Sequence, residues 1–432
     1  IYLLTYIICF NSDKWYVRNY CFILFSGCSI AAILMFFIGT QFSIFIQVAI
    51  YSSILFFACM LCHGELARLK PNNNKLTSFY LVMAFGGVMG SIFTSVVAEQ
   101  LFTQYYEFPV GIAIVYILFS CSLWRESSNN KLSRRMKKQN MYFAAVSIAG
   151  VLAFSLYFLK LNNVYFKDDV YNSRNFYGTL SVKDFDEVER PTRMLFDGTT
   201  LHGTQSLSEL ERDTPTSYYR LDTGVSLVLQ KFAFNQPKKV GVIGLGTGTL
   251  AAYGNAGDDY VFYELNPDVE FAAKNYFSYL STSKADVSVR IGDARVTLQN
   301  EFAKNGSQEY QVLIVDAFSS DSIPVHLLTL EAFRLYWEHL KEDGLLVLHI
   351  SNNHLDLLPL VATLSEKLGM KMQHFYSASD NNAHTAEWVV VTNNKDFYTN
   401  EEIASRSTYF KLNNEQKVLW TDAYSNLLSV IK

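Results

Sequence analysis

Long apolar runs dominate the first third of the chain. They lie at residues 21–39, 43–62, 79–98, 107–124 and 141–159. Each run is close to the roughly 20 residues that a helix needs to cross ~30 Å of hydrocarbon. Five runs in series, with aromatic residues at their ends, argue against a signal peptide or a buried core helix. The pattern therefore predicts a multi-pass membrane domain over residues 1–163.

The first ten residues are also apolar and resemble the end of a further run, so we expect five or six helices in this domain. The chain begins with Ile1 and not with methionine, and we therefore expect further residues ahead of it.

After residue 163 the apolar runs become short and alternate with turn residues. They read LSVKDF (180–185), TRMLFDG (192–198), VGVIG (240–244), YVFYE (260–264), VSVRIG (287–292), QVLIVD (311–316) and GLLVLHI (344–350). Segments of helix length separate the later runs, which favours a parallel sheet covered by helices. The pattern predicts a small antiparallel β layer over 164–235, a Rossmann-like α/β domain over 236–396 and a C-terminal tail over 397–432.

The charge distribution narrows the choice of partners. Residues 1–163 contain 12 Lys+Arg and 5 Asp+Glu, a balance of +7, whereas the remainder contains 24 and 35, a balance of −11. An acidic second half argues against nucleic acid as a partner. All six cysteines lie in the apolar part, and we expect neither a disulfide framework nor a metal site.

Lysine and arginine alternate between the loops of the apolar part. Loops 11–19, 63–78 and 125–140 carry them, whereas loops 40–42 and 99–106 carry none. This alternation is typical of an inner-membrane protein with its basic loops in the cytoplasm. It would place the second half outside the cytoplasm, where nucleotide-derived cofactors are scarce. Either one run does not cross the membrane or the second half faces the unexpected side, and the sequence leaves both open.

Polar and small residues interrupt two of the apolar runs. His63 and Glu65 lie at a predicted membrane boundary, where they form either a functional pair or a solvated helix end. Gly86, Gly87 and Gly90 share one predicted helix, and we expect them to allow close packing against another helix.

A glycine-rich loop, GLGTG (244–248), follows the predicted strand VGVI. We expect it to open a helix over TLAAYGNAG (249–257), so that Gly244, Gly246 and Gly248 bring the backbone close to a ligand at the helix N-terminus. Glu264 ends the next strand, where a carboxylate can accept hydrogen bonds from both hydroxyls of a ribose.

Two further acids end the following strands, Asp293 in IGDAR (291–295) and Asp316 in VDAFSSD (315–321). Asp293, with Ala294 beside it, occupies the place where an adenine amino group needs an acceptor. Thr249 stands where a dinucleotide-binding loop would have its third glycine, so the order of acids favours an S-adenosylmethionine-type site. Taken singly, each carboxylate could instead cap a helix or bond a turn.

Several longer stretches carry a family resemblance. They are CHGELARLKP (62–71), SRNFYGTLSV (173–182), RMLFDGTTLHGTQ (193–205), PTSYY (215–219), VIGLGTGTLAAY (242–253), VDAFSSDSIPVHLLT (315–329) and LHISNNHLDL (348–357). With these stretches the chain resembles the spermidine synthase family of polyamine aminopropyltransferases, particularly its bacterial members fused to an N-terminal multi-pass region. The resemblance covers nearly the whole chain.

The resemblance implies a methyltransferase-like α/β domain that transfers an aminopropyl group from decarboxylated S-adenosylmethionine to putrescine and releases methylthioadenosine. No prosthetic group is needed, and soluble members of the family commonly form homo-oligomers. The ribose would lie at Glu264 and the adenine at Asp293, and Asp316 would be the base. A carboxylate is a weak base for an ammonium group, so a relay through Tyr218 is expected.

The resemblance also implies a pocket for the acceptor amine and a loop residue, His326, that covers the site. Each pocket residue could alternatively have a structural role. The predicted pocket residues are His202, Gln205, Tyr218, Tyr219, Asp321 and His349.

Two departures from the family pattern leave the substrates open. Thr247 stands where the soluble family members have an acid that binds the donor's amine, so the donor could be decarboxylated or intact S-adenosylmethionine. Asp316 and Asp321 are five residues apart, more than in the family's compact motif, which leaves the acceptor open. The alternatives are an S-adenosylmethionine-dependent methyltransferase and a transporter or sensor that binds a polyamine or nucleoside without turnover.

Overall fold

The computed structural model of the chain describes residues 1–12, 14–39, 42–128, 132–186, 190–198, 200–232, 237–317, 324–352, 354–378 and 385–432. The chain divides into two units. The first contains Ile1–Asp168 and Arg174–Thr179, and the second contains Asp169–Ser173 and Leu180–Lys432.

The first unit is helical. Its helices are α1 (Tyr2–Asn11), α2 (Arg18–Ile38), α3 (Ile44–Arg68), α4 (Leu76–Ile92), α5 (Ala98–Leu101), α6 (Glu107–Ser127) and α7 (Arg134–Tyr165). A π-helical turn, Phe93–Val97, joins α4 to α5. Among the described residues, five helical stretches are long and apolar enough to cross a membrane: α2, α3, Asn73–Leu101, α6 and α7. Each predicted apolar run overlaps one of them.

The motif that contains His63 and Glu65 lies in the interior of the helical unit. His63 is only 4% exposed, and its Nδ1 lies 3.0 Å from the hydroxyl of Thr5 in α1. Glu65 accepts hydrogen bonds from the Tyr16 hydroxyl at 2.6 Å and from Arg18 Nε at 2.7 Å. The two residues therefore join α3 to neighbouring segments, and their interpretation as a solvated helix end is wrong. A functional role for the pair stays a prediction.

The glycines of α4 do not pack as predicted. A Cβ atom built on Gly86, Gly87 or Gly90 would meet no atom of the described chain within 4 Å. No described residue of α4 is buried, so no other helix covers this face among the described residues. The expectation of close helix packing at these glycines is therefore wrong for this chain.

A four-stranded sheet begins the second half of the chain. Its strands are β1 (Asp169–Asn175), β2 (Gly178–Phe185), β3 (Thr192–Asp197) and β4 (Thr200–Ser206), in that order across the sheet. β3 pairs antiparallel with both β2 and β4. This confirms the predicted antiparallel layer.

A seven-stranded sheet forms the centre of the second unit. Its strands are β5 (Lys239–Ile243), β6 (Asp259–Glu264), β7 (Asp286–Ile291), β8 (Tyr310–Val315), β9 (Leu340–His349), β10 (Lys371–Ser377) and β11 (Ala386–Thr392). Their order is β10-β11-β9-β8-β5-β6-β7, with β5 to β9 parallel and β11 antiparallel to both of its neighbours. The predicted Rossmann-like, methyltransferase-like domain is thereby confirmed.

Helices and short turns accompany this sheet. The helices are α8 (Gly224–Ser226), α9 (Pro267–Tyr276), α10 (Tyr279–Thr282), α11 (Ala294–Asn305), α12 (Leu330–His339), α13 (Leu358–Lys367), α14 (Lys395–Thr399) and α15 (Glu401–Arg406). Side chains of a strand alternate between the two faces of a sheet. In β8, Val312 and Ile314 join one hydrophobic cluster while Leu313 and Val315 join the other. The sheet is thus buried on both faces, as a parallel sheet requires.

The strand order places the site. From β5 the chain continues through β6 and β7 to one edge of the sheet. It then returns to β8 on the other side of β5, so the strand order reverses between β5 and β8. In open α/β sheets ligands bind in the crevice beyond the carboxyl ends of the strands at such a point. The loops that follow β5 and β8 are the glycine-rich loop and the segment that begins with Asp316.

The C-terminal tail belongs to the second unit. Trp420 is fully buried, and its carbonyl accepts the N–H of Leu330 at 2.9 Å. The carbonyl of Val430 accepts the N–H of Asp356 at 2.7 Å. The tail therefore packs against the segments that follow β8 and β9.

A buried ion pair at the start of β5 gives a test of stability. Lys238 Nζ lies 2.8 Å from Asp258 Oδ2, and the two side chains are 7% and 4% exposed. Burial raises the pKa of Asp258, but hydrogen bonds from Lys238 and the backbone outweigh it, so the pKa is lowered overall. This contribution to stability is present above about pH 4 and is lost as the pH falls through the folded-state pKa.

We expect Asp258→Asn to lower the free energy of unfolding by about 3 kcal/mol, because it leaves Lys238 buried without its counter-charge. Denaturant unfolding of the purified chain at pH 7 measures this. Asp259→Asn is the matched control, since the Asp259 side chain is 46% exposed and lies 4.0 Å from its lysine. We expect the control to cost less than about 1 kcal/mol. Equal losses in the two variants would contradict the assignment.

Candidate active site

The glycine-rich loop touches the loop after β8 through its backbone. Gly244 has a φ of +99°, and a Cβ atom built on it would lie 2.2 Å from the carbonyl oxygen of Asp316. A Cβ atom on Gly246 would lie 2.7 Å from the carbonyl oxygen of His202. No side chain fits at either place, so both glycines are required for this approach of three backbone segments.

The predicted helix after this loop is absent. Only a 3₁₀-helical turn, Thr249–Tyr253, follows Gly248, and it ends at Gly254 in an extended conformation. Two glycines, at 254 and 257, lower the helix propensity of this segment. A long helix with its N-terminus at the ligand is therefore not part of this site, and the expectation was wrong.

Thr247 points into the protein. Its side chain is fully buried, and its hydroxyl lies 2.6 Å from that of Thr249. A Cβ atom built on Gly203 in β4 would lie 2.6 Å from Thr247 Oγ1. Thr247 thus packs the glycine-rich loop against β4.

Glu264 is tied to the glycine-rich loop. Its Oε2 accepts the N–H of Leu245 at 3.0 Å, and its Oε1 accepts the N–H of Asn266 at 2.8 Å. Burial raises the pKa of this carboxyl to about 7, although these backbone donors oppose the shift. The acid predicted to hold a ribose therefore lies beside the loop predicted to hold the rest of the ligand.

Asp293 caps α11, as the structural alternative predicted. Its Oδ1 accepts the N–H of Val296 at 2.9 Å, and Ala294 begins the helix. Its Oδ2 lies 2.8 Å from Nε2 of His326, the residue predicted to cover the site. The role of Asp293 and Ala294 toward adenine stays a prediction.

Asp316 is the centre of a buried polar cluster. Its Oδ2 accepts a hydrogen bond from the Tyr219 hydroxyl, and its Oδ1 lies 2.7 Å from Nδ1 of His349. The side chains of Asp316 and His349 are 6% and 5% exposed. Burial, and then the charge of Asp316, raise the pKa of Tyr219 well above its usual value. The tyrosine therefore remains a hydrogen-bond donor to the carboxylate.

Aromatic rings enclose His349. The ring of Tyr218 stacks on one side at 4.7 Å and 24°, and the ring of Trp388 stacks at 4.6 Å and 20°. Its Nε2 lies 2.8 Å from the hydroxyl of Ser351. Trp388 in turn donates its indole N–H to the carbonyl of Tyr218 at 3.1 Å. These contacts give the imidazole one orientation.

The structure thus brings Asp316, Tyr218, Tyr219 and His349 together, as the resemblance implied. The hydroxyl that donates directly to Asp316 is that of Tyr219, and the predicted relay through Tyr218 stays a prediction. Tyr218 contributes its ring to the stack on His349.

Two of the remaining predicted pocket residues, His202 and Gln205, lie in β4. His202 places its backbone carbonyl against Gly246. The amide of Gln205 donates to Ser278 Oγ at 2.7 Å and to the carbonyl of Arg212 at 2.8 Å, and thereby fixes loops beside β4. Asp321 lies outside the described residues.

Sequence reasoning missed two residues of the cluster, Trp388 and Ser351. Trp388 lies on β11, which follows β10 in the chain but pairs with β9. Only this insertion between β9 and β10 brings the indole to His349. Ser351 follows His349 by two residues within the quoted motif LHISNN, and this spacing was the available signal.

The cluster is suited to bind an ammonium group rather than a metal ion. Within the described residues, no group of three His, Cys, Asp or Glu side chains could hold a metal. A carboxylate that accepts two hydrogen bonds keeps lone pairs for a further donor, and an ammonium group is such a donor.

Comparisons with known proteins show partial similarity. No family model matches the chain. A spermidine synthase structure from Thermotoga maritima is 18% identical, covering 58% of this chain and 82% of that one, with a TM-score of 0.38. A polyamine aminopropyltransferase from Vibrio vulnificus (strain CMCP6) is 33% identical over 129 residues, which are 28% of this chain and 41% of the relative.

A "Probable polyamine aminopropyl transferase" from Bifidobacterium longum (strain NCC 2705) is 27% identical over 186 residues, which are 42% of this chain. The match covers 37% of that relative, so this chain spans about two fifths of the length of both curated relatives. These sequence similarities confirm the predicted resemblance to the spermidine synthase family of polyamine aminopropyltransferases.

Proposed function

We propose that the chain is a spermidine-synthase-like aminopropyltransferase. It would transfer an aminopropyl group from decarboxylated S-adenosylmethionine to a primary amine such as putrescine and release methylthioadenosine. The observation that carries the proposal is the position of Asp316, whose backbone touches Gly244 of the glycine-rich loop and whose carboxylate lies in the cluster of Tyr219 and His349. Two relatives named for this activity match part of the chain.

The donor would lie over the glycine-rich loop. Glu264 accepts the N–H of Leu245 in this loop, and its remaining lone pairs can accept the ribose hydroxyls. The buried Thr247 gives the donor's aminopropyl end no charged partner from this loop. We therefore assign selection of the donor to groups other than residue 247.

The acceptor would approach Asp316 as an ammonium ion. The carboxylate attracts the cation, and one proton must leave the nitrogen before its lone pair can attack. In the transfer step the nitrogen forms a bond to the carbon beside the sulfonium, the C–S bond breaks, and its electrons leave sulfur as a neutral thioether. Asp316 would take the ammonium proton, and Tyr219 and His349 would hold its carboxylate in place.

The helical unit would anchor the enzyme in the inner membrane. The support for this part of the proposal is the length and apolar composition of α2, α3, Asn73–Leu101, α6 and α7. The exposed face of α4 would then contact lipid.

Asp316→Asn tests the assignment of the reaction. We expect the variant of the full chain, purified in detergent, to release methylthioadenosine from decarboxylated S-adenosylmethionine and putrescine at least about 10²-fold more slowly, since it cannot accept the proton. Calorimetry should show methylthioadenosine binding unchanged within about threefold, because a carboxamide preserves the shape of the site.

Asp343→Asn, at an exposed position of β9, is the control and should have wild-type activity. An Asp316→Asn variant that keeps full activity would remove Asp316 from the mechanism. Preference of the wild-type chain for intact S-adenosylmethionine, with methyl transfer, would assign it to the methyltransferases.

The raised pKa of Glu264 predicts a pH-dependent affinity for the nucleoside. Ribose hydroxyls donate to the ionised carboxyl, whose pKa is about 7 in the free protein. Binding should therefore weaken as the pH falls below this value, by about tenfold between pH 7.5 and pH 6. Calorimetric titration with methylthioadenosine across this range measures the effect. In Glu264→Gln the affinity should be lower at pH 7.5 and nearly independent of pH, and an unchanged pH dependence in that variant would refute the role.

Fractionation tests the proposed membrane anchor. When the full chain is expressed in a bacterial host, we expect it in the membrane pellet, resistant to alkaline carbonate and released by detergent, because burial of five apolar helices in lipid holds it there. A peripheral membrane protein of the same cells is the control and should be released by carbonate. Release of this chain by carbonate alone would contradict the proposal.

A further inference from the structure

His349 makes contacts that leave its imidazole little access to a substrate. The rings of Tyr218 and Trp388 stack on the imidazole, Asp316 and Ser351 lie at its two nitrogens, and the residue is only 8% exposed. A residue so enclosed cannot shape the surface of an acceptor pocket to any large extent. Its contacts point instead to an action through Asp316.

The hydrogen-bond network assigns the protons of this imidazole. An ionised Asp316 can only accept, so Nδ1 of His349 must carry the hydrogen of the 2.7 Å bond to Oδ1. A neutral imidazole then accepts at Nε2, and the donor there is the hydroxyl of Ser351 at 2.8 Å. Ser351 Oγ in turn accepts the backbone N–H of Glu387 at 2.7 Å. Asp316 thus sets the tautomer of His349, and the Ser351 hydroxyl, which accepts the backbone N–H of β11, supplies the donor that Nε2 then needs.

We propose that His349 is a positioning residue that holds the carboxylate of Asp316 through Nδ1–H, with Nε2 accepting from Ser351, and does not itself contact the acceptor amine. The role in catalysis rests on the proposed transfer reaction, whereas the tautomer does not. Tyr219 fixes one carboxylate oxygen and His349 the other, so the plane of the carboxylate is set by two donors from different segments of the chain.

Such positioning has a measurable consequence for turnover. Displacement of a reacting group by about 1 Å can slow a reaction about 10²-fold. Among the described residues, loss of the bond from His349 leaves the carboxylate with the Tyr219 hydroxyl at one oxygen, so the carboxylate can rotate. The effect should appear in kcat, because the donor site at Glu264 and the glycine-rich loop does not include His349.

Two amide substitutions of His349 distinguish the role of Nδ1 from the role of Nε2. In His349→Asn the side-chain amide can take the place of Nδ1 and donate to Asp316, whereas the longer amide of His349→Gln takes the place of Nε2 and reaches Ser351. We expect kcat to fall about 10²-fold in His349→Gln and no more than about tenfold in His349→Asn, with methylthioadenosine affinity unchanged in both. In an Asp316→Asn background neither substitution should slow the residual reaction further.

A merely structural role would give a different result. Both variants would then lose activity in proportion to their loss of thermal stability, with no advantage for Asn, and that outcome would overturn the positioning role. Equal, full activity of both variants would overturn it as well.

Nuclear magnetic resonance tests the hydrogen bonds of His349 independently of activity. In the full chain labelled with ¹⁵N-histidine, the resonances lost in His349→Gln identify the residue, and we expect them to report the neutral tautomer with hydrogen on Nδ1 near neutral pH. The opposite tautomer would overturn the inference. A wild-type chain that shows this tautomer without transferring the aminopropyl group would refute the proposed reaction and leave the hydrogen-bond assignment intact.

Discussion

The backbone contact between Gly244 and Asp316 is the constraint on which the candidate site depends. These residues end the adjacent parallel strands β5 and β8, and a Cβ atom at Gly244 would lie 2.2 Å from the Asp316 carbonyl oxygen. Without a side chain at this point the two loops approach closely at the reversal of strand order. A loop suited to a nucleoside and an acid suited to an amine therefore share one edge of the sheet.

The two acids at this edge are stabilised in different ways. Glu264 accepts hydrogen bonds from the backbone, yet burial still raises its pKa to about 7. Asp316 receives a tyrosine hydroxyl and an imidazole, both held by aromatic packing. A buried carboxylate is costly without such partners. The first acid can thus change its protonation with a ligand, whereas the partners of the second acid fix its geometry.

Several residues predicted from family position have different surroundings from those expected. Thr247 packs the glycine-rich loop against β4, and Asp293 caps α11 while it contacts His326. The segment after Gly248 forms only a short 3₁₀ turn. In each case a local hydrogen bond or steric contact governs the conformation, and neither is visible in a linear motif. The position of a residue in a motif thus predicted where the residue lies, but it did not predict which group its side chain contacts.

The sequence by itself determined the apolar helices and the strands β2, β3 and β5 to β9, in their order along the chain. Apolar runs of about 20 residues specify helices, short alternating runs specify strands, and glycines and acids at strand ends mark the edge that carries the site, because these features depend on local periodicity. Only the tertiary structure decided that Tyr219 binds Asp316, that Trp388 stacks on His349 and that no atom of the described chain packs against Gly86. These contacts join segments far apart in the chain, and the insertion of β11 beside β9 depends on packing across the whole sheet.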